Sequence, residues 1–164
     1  PSAHDAGVGL TGAEEALVRV IEERMEEPGM LTGILWEESK HGTENGQRGD
    51  CGPFGIKPGT ATLVLRYPVT CLELQSLTFS LPIAVMYLTD HRWCGRYPLV
   101  ETRLLCFRVG HNRRELLWRW RKVRWPEMPP GWGTRKIMQR VHSERWGKGK
   151  AALIERQRML MARE

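Results

Sequence analysis

Helix-starting and helix-stopping residues follow one another along this chain at short intervals, and the apolar residues between them recur at helical rather than alternating spacing. Only a domain of many short helices satisfies both patterns. Thr11 with Glu14 forms a capping box ahead of Leu17, Val18, Ile21 and Met25, which predicts an amphipathic helix to about Glu27 with an acidic outer face. Pro28 restarts the chain, and a more apolar helix runs through Leu31, Ile34, Leu35 and Glu38 to a stop near Gly42. From His41 to Lys57 the chain turns to Gly, Asn, Asp and Pro, so an ordered loop or small irregular hairpin is expected after the second helix. Long loops inside compact domains are usually functional.

Pro58 opens another helix, Thr70 with Glu73 marks a short one, and Ser80 with Pro82 starts the apolar Ile83–Leu88 segment. Pro98 begins a helix carrying Leu99, Leu104, Leu105 and Phe107 that stops at Gly110. Asn112 is the expected cap of an Arg/Trp-rich helix ending before Pro126, and Pro126–Gly133 reads as a surface turn. Two final helices, Thr134–Trp146 and Ala151–Ala162, are expected on either side of a Gly-Lys-Gly-Lys break. The expected fold is therefore mostly α, with about seven or eight short helices.

At 164 residues the chain is the size of one domain, spanning 1–164, and can bury a core without a metal. Its 41% hydrophobic and 27% charged residues exclude a disordered tail, a collagen repeat and a coiled coil. The longest apolar stretch, Leu81–Leu88, is far below the roughly 20 residues of a membrane span. No basic-then-apolar leader follows Pro1, so a signal peptide is expected to be absent or already removed. The net charge of +6 is unevenly spread: residues 1–50 carry −7, 51–100 carry +2, and 101–164 carry +11. A basic end of this kind attracts a polyanion, whether nucleic acid, anionic lipid or the carboxylate-rich polymers of a bacterial wall.

Cys51, Cys71, Cys94 and Cys106 lack C-x-x-C or zinc-finger spacing, so no metal and no cofactor is expected. They allow two disulfides in any of three connectivities, or four buried thiols.

Glu38 stands out physically. It shares a helix face with Leu31, Ile34 and Leu35, lies in the last turn where the helix dipole disfavours ionisation, and follows the like charge of Glu37. All three effects favour the protonated form, which suits a general acid. The bland alternative is a solvated glutamate at a helix end.

The run Leu-Thr-Gly-Ile-Leu-Trp-Glu-Glu-Ser (31–39), a Gly-rich loop and Gly-Pro-Phe-Gly-Ile-Lys-Pro-Gly-Thr-Ala (52–61) together resemble the lytic transglycosylase family of the soluble-lytic-transglycosylase, goose-lysozyme-like type. That family has an apolar helix ending in Glu-Ser, a Gly-x-x-Gln-Ile-x-Pro-x-Thr-Ala segment and an Ala-Tyr-Asn-x-Gly segment. Gly52, Ile56, Pro58, Thr60 and Ala61 match in identity, and Cys-Phe-Arg-Val-Gly (106–110) stands for the third segment, preceded by the helix with Ala84, Tyr87 and Leu88. Gly55 replaces the Gln, Phe107 and Arg108 replace the Tyr-Asn, and Gly133–Ile137 with Trp132 answers to a Tyr-Val-x-Lys-Val segment near the family's end. The resemblance covers roughly Pro28 to Val141.

It implies a lysozyme-like α domain that cleaves the β-1,4 bond between N-acetylmuramic acid and N-acetylglucosamine and forms 1,6-anhydro products. Glu38 is the implied acid, and Ser39, Gly52, Phe54, Ile56, Tyr87, Phe107 and Arg108 are the implied substrate-binding residues. The implied partner is the peptidoglycan glycan strand, met by a monomer in a periplasmic, extracellular or virion setting such as a phage enzyme occupies. A hydrolytic muramidase would need a second acid, for which Asp50 and Glu44 are the candidates, although loop acids also serve simply to hold turns.

His41, three residues beyond Glu38, reads as a solvated helix-end histidine, and no nucleophile elbow, Walker loop or dinucleotide fingerprint occurs. The segment Arg113–Trp125 interleaves Trp118, Trp120 and Trp125 with six Arg or Lys residues. It allows nucleic-acid binding by stacking and phosphate contacts, the wall of a sugar cleft, or an amphipathic helix with buried tryptophans. Nucleic acid is the rival partner, not the expected one.

Overall fold

The computed structural model describes residues 9–39, 49–128 and 133–162, and of these it gives the side chains except at 145–152. The described residues form eight α-helices and no strands, in accord with the all-α expectation: α1 (Gly12–Arg24), α2 (Met30–Ser39), α3 (Pro58–Leu65), α4 (Cys71–Leu74), α5 (Leu77–Thr89), α6 (Val100–Val109), α7 (Arg114–Arg119) and α8 (Thr134–Met161), with a 3-10 turn at Cys94–Arg96. No described helix is long and apolar enough to cross a membrane.

The capping boxes form as the sequence predicts. Thr11 accepts from the Glu14 N–H while Glu14 reaches back to the Thr11 N–H, and Thr70 and Glu73 repeat the arrangement at α4. Each satisfies two backbone donors that a helix end would leave open. Helix α2 is buried along most of its length, through Leu31, Ile34 and Leu35, and lies against α1 and α8. A second packed group joins α5 and α6 through Leu77, Ile83, Leu88, Leu104 and Leu105. Ile137, Met138 and Val141 from the first turns of α8 complete the same core.

Several boundaries depart from expectation. Helix α5 starts at Leu77 rather than at Ser80 or Pro82, because Ser76 caps it by accepting from the Phe79 N–H and Leu77 is fully buried. Pro82 is thus inside the helix, where only one hydrogen bond is forfeited. Helix α7 begins at Arg114 with no side-chain cap from Asn112 and ends at Arg119, leaving Trp120–Trp125 in turns. Finally, α8 runs unbroken through Gly147 and Gly149. Each helical Gly costs about 1 kcal/mol relative to Ala, but nucleating a second helix costs more than propagating the first.

The cysteines form two disulfides, Cys51–Cys71 and Cys94–Cys106. The first fastens the Gly-rich hairpin to α4, and the second fastens the 3-10 turn to α6. His41 and Glu44 lie outside the described residues, as does Trp132.

Candidate active site

The residues around Glu38 come from four parts of the chain. Helix α2 delivers the carboxylate in its last turn. The next residue, Ser39, is 1% exposed and donates to the Leu35 carbonyl at 3.0 Å and to the Pro53 carbonyl at 2.8 Å. That second bond pins the end of α2 to the hairpin, whose Cys51 and Ile56 exchange backbone hydrogen bonds of 3.0 and 3.1 Å. The expected small hairpin is therefore present in its described part.

Ser39, Gly52 and Phe54, expected as substrate contacts, are buried and are not among the residues that line the notch around Glu38. Ser39 is occupied as above, and Phe54 is wholly buried. Gly52 is close-packed, since a Cβ there would lie 1.9 Å from the Leu74 carbonyl oxygen.

Gly55 lies directly against the acid. Its φ is +62°, and a Cβ would lie 2.3 Å from Glu38 Oε2. The hairpin backbone thus comes right up to the carboxylate, and with Glu38 in this position a side chain at 55 has no room.

From α6, Phe107 is buried and tilted against the Tyr87 ring, with centroids 5.8 Å apart. The Tyr87 hydroxyl accepts the His111 backbone N–H at 2.8 Å and meets His111 Nδ1 at 2.9 Å. The hydroxyl donates to Nδ1 or accepts from it according to the tautomer of His111. Burial, then Arg96 and Arg114, lower the His111 pKa and so favour the neutral ring.

Arg108, next along α6, makes a charge-assisted hydrogen bond from Nη1 to Glu38 Oε1, and both side chains are largely buried at 15% and 13% exposure. Glu38 nevertheless has its pKa pushed up to about 7. Burial is the largest cause, and it outweighs the attraction of Arg108, while Asp50 and Glu37 add repulsion. Asp50 itself is raised by burial against the pull of Lys57 and Arg108.

Glu38, Asp50, Gly55, Ile56, Tyr87, Phe107 and Arg108 all line one notch of about 80 Å³, together with Lys57, Thr60, Val109 and Gly110. The notch thus gathers five of the predicted site residues, Glu38, Ile56, Tyr87, Phe107 and Arg108, and one of the two candidate second acids. The start of α8 also reaches it, since a Cβ on Gly133 would lie 2.9 Å from Arg108 Nη2 and 3.0 Å from Glu37 Oε2. What the sequence reading missed is that Arg108 is the direct partner of Glu38. The signal available was a lone cation, Arg108, on the otherwise apolar end of α6.

Among the described residues no group of three His, Cys, Asp or Glu side chains is gathered to hold a metal ion. The arrangement sets one carboxyl, its pKa pushed up to about 7, beside a guanidinium that stabilises its ionised form and a second carboxyl; such a set is able to release and take up a proton. Comparison of the chain with protein families, with curated proteins and with solved structures finds no match.

Proposed function

We propose that this chain is a lysozyme-like α domain that cleaves peptidoglycan glycan strands between N-acetylmuramic acid and N-acetylglucosamine, acting as a lytic transglycosylase with Glu38 as its acid. The observation that carries the reading is the convergence on one notch of the three segments that resemble that family, around a carboxyl whose pKa is about 7. A chance resemblance in sequence gives no reason for Glu38, Gly55–Thr60 and Phe107–Gly110 to meet. Two disulfides accord with an oxidising periplasmic, extracellular or virion setting.

The chemistry follows from the electrostatics. Protonated Glu38 gives its proton to the glycosidic oxygen as the C1–O bond breaks, and the substrate's acetamido group meets the positive charge at C1. Arg108 favours the carboxylate that results, so it makes Glu38 a readier donor in this step. Ionised Glu38 then removes the proton of the C6 hydroxyl as O6 bonds to C1, which closes the 1,6-anhydro ring and restores the acid. The notch admits the scissile oxygen and its neighbours, with the sugar rings lying across its mouth.

Digestion of purified peptidoglycan with mass analysis of the fragments tests this. Anhydro products, lighter by one water than hydrolytic ones, are expected. Glu38→Gln should lower cleavage by about two to three decades with the fold retained, and Glu37→Gln should do far less. Absence of cleavage by the native chain, or equal losses in both variants, overturns the reading.

The position of Asp50 in the same notch favours a second reading, a hydrolytic muramidase in which Asp50 activates water. Products with reducing ends and a loss of about a hundredfold in Asp50→Asn would establish that version.

A further inference from the structure

A second and larger concavity lies beyond the notch, between the 3-10 turn and α7. It encloses about 710 Å³ and is lined by Arg96, Tyr97, Arg114, Trp118, Arg121 and Lys122, with Pro98 and Glu115. That volume is within the range of sites that hold small ligands. Four cations and one carboxylate are among its lining residues, so the groove carries a net positive charge. Arg96, Arg114 and Lys122 are exposed. Trp118 is 64% exposed, yet its indole is held in place, because Arg121 stacks on the ring at 3.6 Å from its centroid and donates from Nη1 to the Trp118 carbonyl at 2.6 Å. Tyr97, Pro98 and Trp118 supply an apolar floor under a basic rim.

A shallow concavity that takes in Asn112 and Arg113 shares Arg114 and Glu115 with the groove, and it begins two residues after Gly110, which lines the notch. A polymer held at Glu38 thus has basic residues close by in the chain to meet its negative charge.

We infer that the groove binds the free carboxylates of the peptide stems carried by the glycan strand. The inference rests on the muralytic reading above and deepens it. Guanidinium groups pair with carboxylates in two-point contacts, while the floor accepts the small apolar side chains of a stem. Single-stranded nucleic acid would also answer to cations and an exposed indole. The disulfides favour the wall polymer, since they belong to oxidising compartments where such carboxylates are abundant.

The test uses the full chain carrying Glu38→Gln, so that binding is measured without cleavage. Co-sedimentation with purified sacculi is compared with sacculi whose free carboxylates have been blocked as amides, and cleavage by the native chain is measured alongside. Blocking should weaken binding about tenfold, and Arg114→Gln with Lys122→Gln should weaken binding to intact sacculi by a similar factor while leaving blocked sacculi unaffected. Equal binding to both substrates, or no effect of the double variant with the melting curve unchanged, overturns the inference. If cleavage persists in that case, the function stands without the groove. A labelled oligothymidylate bound more tightly than intact sacculi, and released by the same substitutions, would assign the groove to nucleic acid instead. Absence of both cleavage and sacculus binding defeats the function and the inference together.

Discussion

Replacing Glu38 by Gln should make the protein more stable above neutral pH, even as it removes the proposed catalytic acid. Glu38 has its pKa raised from 4.5 to about 7, so between those values the folded chain holds a proton that the unfolded chain releases. Folded stability therefore falls as pH rises through that window, and the loss is complete above about pH 7. At 1.36 kcal/mol per pH unit the loss is about 3 kcal/mol. Glutamine is shaped like the protonated acid and does not titrate, so Glu38→Gln should gain about 3 kcal/mol on the native chain between pH 4 and pH 8. For a chain of this length that corresponds to roughly 6–12 °C in the difference between melting temperatures. Calorimetry or circular-dichroism melts of both proteins across that range measure it, and subtraction removes the titration of groups they share. A difference independent of pH, or one that moves in favour of the native chain as pH rises, would refute the reasoning. It would mean that the attraction of Arg108 outweighs burial and that Glu38 is ionised well below neutrality.

Arg108→Gln removes the cation that lowers the Glu38 pKa, so the alkaline limb of the pH–activity profile should move to higher pH even if the maximum rate drops. Gly55→Ala should cost about 1–2 kcal/mol in denaturant titrations, from the left-handed backbone alone, and should cut cleavage further than that loss explains, because its Cβ displaces the Glu38 carboxylate. Asp50→Asn should keep most of the activity and the anhydro products if Glu38 works alone, as read from muropeptide masses. Removing Cys94–Cys106 by paired Ser substitution should destabilise the chain by about 3 kcal/mol, the loop-closure value for a link of that span, measured by urea denaturation.

Much of the fold could be read locally. The caps at Thr11 and Thr70, the proline at the head of α3 and the glycine after α6 each act within a few residues, so sequence spacing suffices to find them. The α8 boundary was hidden because glycine raises the cost of helix without forbidding it, and the helix on either side decides the outcome. Glu38 was legible for the same local reason as the caps, through the apolar face it shares with Leu31, Ile34 and Leu35. Its tie to Arg108 was not, since a contact between residues seventy positions apart leaves no periodic trace. Ser39 and Phe54 show the converse problem. A motif marks residues that belong together, but it does not distinguish those that touch a ligand from those that hold up the ones that do.

The two disulfides bear unequally on the site. Both links close loops within residues 51–106, so the hairpin beside Glu38 is stapled to α4, and α6 is stapled to the 3-10 turn through Cys106 in its C-terminal half. Helix α2, which carries the acid, and α8, against which it lies, carry no cysteine. The notch is therefore a seam between a half fixed by covalent bonds and a half held to it by packing and by the Ser39–Pro53 and Arg108–Glu38 hydrogen bonds. Heat, denaturant or a cavity in the α2–α8 contact would part that seam while leaving the stapled half largely in register, so the approach of Glu38 to Gly55 and Arg108 is a more sensitive gauge of injury to this protein than its helix content.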